Sequence, residues 1–246
     1  MNTKHLNSSG IQYSLNKYKI CTILFTFLLT PSISHAYYID WDSPSGITES
    51  VAFNFVSAEG ISTHSYIGGA TSDGLFLGSL TEVKVTGGPV DSSRDYQMND
   101  IITRGFRIRK SSEDEEPTTG IKLFGSLSGT LSYQKSLYST VYFSASIIDT
   151  GLSITEYYTS AGEVNVPVEF NNSKAGTLDV DTLYTLVVGL NTGAVSMWDG
   201  SNAASAQSDF LHTATASISI VPEPSTILLL GTGFALLAVK RRKMLA

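Results

Sequence analysis

Residues 140–148 read TVYFSASII, and they indicate the fold class because their apolar side chains recur at every second position. An extended chain places every second residue on the same face. Four apolar residues therefore share one face: Val141, Phe143, Ala145 and Ile147. Residues 163–170 (EVNVPVEF) and 212–221 (HTATASISIV) show the same alternation. This period predicts half-buried β-strands.

Outward from these segments the chain keeps the same character. Further runs of strand-forming residues cover 37–41, 51–55, 74–85, 101–109, 121–133 and 182–190. Gly, Asn, Asp and Ser separate the runs, and these residues favour turns. Between the two ends of the chain, no segment shows the periodicity of a three-turn helix. The sequence predicts an all-β, antiparallel β-sandwich, jelly-roll-like, of about nine or ten strands over residues 37–221.

Three local features refine this prediction. Pro167 interrupts a strand run, and proline cannot donate to a sheet ladder, so its strand is expected at an edge or bulge. Residues 199–209 (DGSNAASAQSD) are small and polar, which predicts a flexible loop. His64, in a polar run, is expected in a loop or at a strand end.

The charge is unevenly distributed. The whole chain has 246 residues and a formal charge of −6. Residues 37–221 hold 9 Lys and Arg against 21 Asp and Glu, which gives 9 − 21 = −12. Such an acidic domain would repel phosphates, so we expect no nucleic-acid partner.

The first 36 residues have the pattern of a secretory signal peptide. Lys4, Lys17 and Lys19 precede the apolar residues 20–29, and Ser34 and Ala36 are small residues at the positions that signal peptidase requires. Cleavage by signal peptidase is expected between Ala36 and Tyr37. The only cysteine, Cys21, lies in this segment, so the exported chain would have no disulfide.

Residues 222–246 form a second targeting pattern. Pro222, Glu223 and Pro224 precede an apolar run at 225–239, which the basic residues 240–243 follow (Lys240, Arg241, Arg242 and Lys243). As a helix the run would be about 22 Å long, which is short for a membrane span. The basic cluster predicts a cytoplasmic end for a short transmembrane helix at 225–239.

This tripartite tail resembles the PEP-CTERM sorting signal. The resemblance rests on Val221 to Thr226 (VPEPST), the short apolar run with glycines and the basic end. It implies recognition of Pro222, Glu223 and Pro224 by an exosortase, a membrane-embedded cysteine transpeptidase. It also implies a Gram-negative bacterium that makes exopolysaccharide, a transient single-pass anchor in the inner membrane, and final placement at the cell surface or outside the cell. The alternative is a permanent C-terminal anchor after a proline-rich turn.

The sequence contains no motif that indicates a catalytic site, a cofactor or a metal centre. His64 and His212 are the only histidines after residue 36, too few for a three-histidine zinc site. We therefore predict no catalytic residue, no metal ligand, no cofactor and no enzymatic activity. Trp41 and Trp198 are candidates for a sugar-stacking face, although aromatic residues in a sandwich are more often core.

Three functions remain open for residues 37–221. The first is a non-enzymatic structural or interaction module of the cell surface or extracellular matrix, associated with exopolysaccharide or biofilm. The second is a carbohydrate-binding module, and the third is a hydrolase with an unrecognised site. The first is favoured because it explains both ends, the acidic domain and the missing motifs with the fewest assumptions.

Overall fold

The structure is a computed structural model that describes residues 37–111, 113, 116–134, 137–160, 165–211 and 214–221. These residues form strands and their connections, with no helix among them. The segments predicted as signal peptide (1–36) and as sorting tail (222–246) lie outside the described residues. The predicted all-β fold is confirmed.

The described residues form twelve strands in two antiparallel sheets. In chain order the strands are β1 (Tyr37–Pro44), β2 (Thr48–Val56), β3 (Glu59–Ala70), β4 (Gly74–Gly87), β5 (Ser93–Lys110), β6 (Thr118–Gln134), β7 (Tyr138–Ile147), β8 (Leu152–Ser160), β9 (Val166–Asp179), β10 (Leu183–Met197), β11 (Ala204–Asp209) and β12 (Ala214–Ile220). The first sheet contains β1, β2, β5, β10, β7 and β8. The second sheet contains β3, β4, β11, β12, β6 and β9. Most connections cross from one sheet to the other, as in a jelly-roll-like winding.

In each sheet, one strand position is occupied by two short strands that lie end to end. β1 pairs with residues 104–110 of β5, and β2 pairs with residues 94–101 of the same strand. In the second sheet, β11 and β12 lie in succession between β4 and β6. Each sheet is therefore five strands wide. The structure has twelve strands where the sequence predicted nine or ten, because β3, β8 and β11 fall outside the predicted strand runs.

The expectation of a flexible loop at 199–209 is wrong for its second half. Residues 204–209 form β11, in which Ala204, Ala206 and Ser208 are buried and alternate with half-buried residues. Small side chains suffice at these positions because Tyr96, Tyr133 and Trp198 pack against the same part of the core. The strand was missed because its inward residues lack the β-branched and aromatic types that raise strand propensity.

The expected edge position of Pro167 agrees with the structure. Pro167 lies in β9, the last strand in the order of the second sheet, opposite Thr130 of β6. The proline therefore interrupts no central ladder. Between the sheets, the inward residues of both form the core, which includes the fully buried Phe106, Phe143, Phe210, Leu75, Leu77, Met98 and Ile102.

Candidate functional site

Most residues predicted to direct export lie outside the described residues. These are the cleavage residues Ser34 and Ala36, the motif Pro222, Glu223 and Pro224, and the basic end Lys240, Arg241, Arg242 and Lys243. Tyr37 is the exception. It is the first residue of β1, it is only 3% exposed, and its hydroxyl donates to the backbone oxygen of Glu116 at 3.2 Å.

The interior of the sandwich contains a chain of polar side chains that joins the two sheets. Thr192 of β10 lies 2.7 Å, oxygen to oxygen, from both Ser79 and Thr81 of β4. The Thr81 hydroxyl lies 3.2 Å from Nδ1 of His64, and Nε2 of that ring lies 3.1 Å from Oδ1 of Asp100. The three hydroxyl residues are fully buried, so each bond replaces hydration that folding removed.

Asp100 is the last residue of this hydrogen-bonded series, and one of its carboxyl oxygens has no hydrogen-bond partner among the described residues. Its side chain is fully buried, and its Oδ2 has no hydrogen-bond partner among the described residues. A buried carboxylate oxygen without a partner carries a desolvation cost that nothing offsets. With Asp100 as an ionised acceptor, Nε2–H of His64 donates to it, and Nδ1 accepts the hydroxyl proton of Thr81.

Glu49 brings a second carboxylate to the same place. It lies directly opposite Asp100 in the register of β2 and β5, so both side chains leave the sheet on its inner face. One carboxylate oxygen from each, together with a ring nitrogen of His64, lie within 4.8 Å of one another. Among the described residues, this is where three side chains of metal-binding type converge.

The expectation that His64 lies in a loop or at a strand end is wrong. His64 lies inside β3, directly opposite Thr81, and its side chain is 5% exposed. Polar residues at inward positions of otherwise apolar strands were the signal that would have revealed this site. Among the inward-facing alternate residues, Asp100 falls between Met98 and Ile102. Thr192 likewise falls between Leu190 and Ala194.

A second feature lies on the outer face of the first sheet. A row of directly opposed residues crosses five strands from β2 to β8: Ser50, Asn99, Asn191, Tyr142 and Tyr157. Together with Ala52 these residues line an open depression. Tyr142 and Tyr157 are 41% and 58% exposed. We call these five residues the outer row.

Two glycines of β10 shape the surface around the outer row. A Cβ on Gly193 would lie 2.7 Å from Oγ1 of Thr140 and 2.9 Å from Cγ of Gln97. A Cβ on Gly189 would lie 2.7 Å from Oγ of Ser144. Because neither position carries a side chain, the side chains of Thr140, Gln97 and Ser144 approach the backbone of β10 closely on either side of Asn191.

The same outer face carries two groups with shifted pKa values. Burial raises the pKa of Asp95, although a hydrogen bond from Gln97 partly offsets this. Burial also raises the pKa of Tyr138, and the charge of Asp95 and the nearby Tyr157 add to that effect. Both shifts favour the uncharged forms of these two groups.

The tryptophans singled out as candidate sugar-stacking residues lie elsewhere. Trp41 packs against Phe106, with ring centroids 5.2 Å apart, and the Arg104 guanidinium lies 4.6 Å from its ring centroid. Trp198 packs against a core cluster of buried residues that includes Val83 and Ala206. The exposed aromatic residues of the outer row are tyrosines instead.

Comparison with known proteins concerns the C-terminal end of the chain. The PEP-CTERM protein-sorting motif matches residues 221–243, the segment that the sequence identified. No curated protein matches the chain. Over the part of the chain that the structure describes, no helix is both long enough and apolar enough to cross a membrane. The chain carries a PEP-CTERM protein-sorting motif, which identifies it as an exported, exosortase-sorted protein of the cell surface.

Proposed function

We propose that residues 37–221 form a non-enzymatic interaction module that binds the exopolysaccharide of the producing cell through the outer row. The single observation that carries this proposal is the alignment of two exposed tyrosines and two asparagines across one sheet face. The module thereby associates the sorted protein with the extracellular matrix or biofilm.

The chemistry of the outer row suits a sugar chain. A tyrosine ring offers an apolar face for the C–H groups of a pyranose and a hydroxyl for hydrogen bonding. The asparagine amides supply both donors and acceptors for sugar hydroxyls. Adjacent strands lie about 4.8 Å apart, so a row over five strands extends about 19 Å, enough for a short oligosaccharide.

The negative charge of the domain favours an uncharged polysaccharide as the ligand. No member of the outer row is ionisable near neutral pH, and residues 37–221 carry 9 − 21 = −12 formal charges. An anionic polymer would be repelled by such a domain, whereas a neutral one would not.

The route to the surface belongs to the same proposal. Signal peptidase removes residues 1–36 during export from a Gram-negative cell. The apolar residues 225–239 then hold the protein in the inner membrane, and the basic residues 240–243 stay on the cytoplasmic side. Exosortase processing at Pro222, Glu223 and Pro224 ends this transient anchoring. The order of these parts in the sequence supports this route.

Affinity electrophoresis tests the binding proposal. The full-length chain is run in gels with and without purified exopolysaccharide of the producing strain. The wild type should be retarded, and Tyr157→Ala and Asn191→Ala should each lose about fivefold or more in affinity, because each removes a contact worth about 1 kcal/mol or more.

Tyr38→Ala is the matched control. Tyr38 is 53% exposed on the same outer face, but its register partner is Arg109, ten residues along β5 from Asn99. Its retardation should equal that of the wild type. Equal loss in all three variants, or no retardation of the wild type, would contradict the assignment to the outer row. Release of reducing ends during incubation would instead favour a hydrolase.

A further inference from the structure

We propose that Glu49, His64 and Asp100 bind one zinc ion at the edge of the sandwich. The site is distinct from the outer row, because Asp100 and Glu49 point to the inner face of the first sheet. It brings together β2 and β5 of one sheet with β3 of the other.

The donor set suits zinc better than calcium or magnesium. One imidazole nitrogen and two carboxylate oxygens are ligands that zinc accepts, and a water molecule completes a tetrahedron where three protein ligands are present. Calcium and magnesium prefer oxygen ligands alone. The imidazole therefore discriminates between these classes of cation.

The geometry is close to that of a zinc centre. Ligand atoms of a tetrahedral zinc ion, each about 2.0–2.2 Å from the metal, lie about 3.3–3.6 Å apart. Nε2 of His64 and Oδ1 of Asp100 are already 3.1 Å apart. The Glu49 atom lies within 4.8 Å of both partners, and an exposed glutamate can rotate to close this distance.

The unpartnered Oδ2 of Asp100 is the second observation that points to a ligand. This oxygen is buried and receives no hydrogen bond from the described residues. A cation held by the Asp100 carboxylate would offset the cost of burying its charge.

The hydrogen-bonded hydroxyl groups of Thr81, Thr192 and Ser79 lie next to His64 and can support it as a metal ligand. A histidine that binds a metal through one ring nitrogen donates its other N–H to a neighbouring acceptor. For a metal on Nε2 that acceptor is Oγ1 of Thr81, at 3.2 Å from Nδ1. Thr81 can in turn donate to Thr192, and Thr192 to Ser79, because hydroxyl protons rotate freely.

Zinc titration of the full-length chain, first freed of metal with a chelator, tests the proposal. The wild type should take up one zinc ion per chain, as measured by competition with a chromophoric chelator. Glu49→Gln should weaken binding at least tenfold without affecting folding, because Glu49 is exposed. His64→Gln and Asp100→Asn should abolish stoichiometric binding.

Glu169→Gln is the matched control, since Glu169 is an exposed strand residue of β9. It should bind zinc as the wild type does. Zinc at 100 times its dissociation constant should favour the folded state about 100-fold, seen as a higher melting temperature. The proposal is overturned if the wild type binds no stoichiometric zinc, if Glu49→Gln binds as tightly as the wild type, or if calcium binds in preference to zinc.

Discussion

At the scale of single residues, Asp95 shows how a half-buried charge couples this protein to pH. It lies on the outer face of the first sheet, opposite Val195, and Nε2 of Gln97 donates to its Oδ1 at 3.3 Å. Burial raises its pKa above the ordinary value of 3.8, and the bond from Gln97 offsets only part of that rise. The folded state therefore binds this proton more tightly than the unfolded state does.

The sign of the resulting pH dependence follows from linkage. A raised pKa contributes stability that is complete below pH 3.8 and is lost as the pH rises through the folded-state value. Asp95→Asn removes this dependence. The melting temperature of Asp95→Asn relative to wild type should therefore be higher at about pH 7 than at about pH 3.

Gln97→Ala provides the complementary measurement. It deletes the hydrogen bond that lowers the Asp95 pKa, so the loss of stability with rising pH should become larger than in the wild type. A pH profile of thermal unfolding that is identical in wild type and Asp95→Asn would contradict the role assigned to this carboxyl.

At the scale of elements, the interruption between β11 and β12 depends on one glycine. Asp209 of β11 lies opposite Thr130 of β6, and Thr215 of β12 lies opposite Ser126 of β6. Six residues on one side thus span four residues of β6, which is a register shift of two. Phe210 is fully buried at this interruption. A Cβ on Gly129 of β6 would collide with the Phe210 ring and lie 2.5 Å from the backbone oxygen of Asp209. The absence of a side chain at Gly129 therefore makes room for the Phe210 ring and the backbone of Asp209 at this interruption.

Gly129→Ala should destabilise the fold by about 1–3 kcal/mol or more, because the added methyl group has no space and part of the obstruction is backbone. Chemical denaturation should show a lower midpoint with an unchanged slope. Gly120→Ala on the same strand is the control, since its Cβ would meet Val221 at an ordinary 3.5 Å. Equal denaturation midpoints for the two variants would contradict this prediction, because they would show that the Phe210 ring and the nearby backbone can move aside without loss of stability.

At the scale of the whole molecule, the sorting motif and the last strand of the sandwich are adjacent along the sequence. β12 ends at Ile220, one residue before the matched segment 221–243. Proline has no backbone N–H, so we expect that Pro222 and Pro224 do not extend the sheet ladder and that Glu223 stays accessible. The motif thus follows directly where the last strand ends.

Glu223→Ala should leave the full-length protein in the inner membrane, because the exosortase would lose the acidic residue between the two prolines. On the proposed route the basic residues 240–243 would hold the tail in the membrane, since each would cost about 2.5–3.5 kcal/mol at the bilayer centre. Cell fractionation with intact-mass analysis measures this outcome. Glu169→Ala should be sorted normally, and a Glu223→Ala protein that reaches the surface trimmed at the wild-type rate would rule out the sorting role.

The sequence by itself determined the fold class and the sorting motif. Alternation with period two, as in residues 140–148, is a local property that survives in any strand arrangement. The tail motif at 221–243 is likewise linear, so its order of parts is visible without a structure. The edge position of Pro167 also followed from local chemistry, because a missing donor excludes a central strand.

Only the tertiary structure decided the pairings that create sites. Glu49, His64 and Asp100 are separated along the chain, and they meet because β2, β3 and β5 converge at one edge. The outer row likewise exists only through the registers of five strands. The physical reason is that strand register and sheet order depend on long-range packing, which no local pattern of residues encodes.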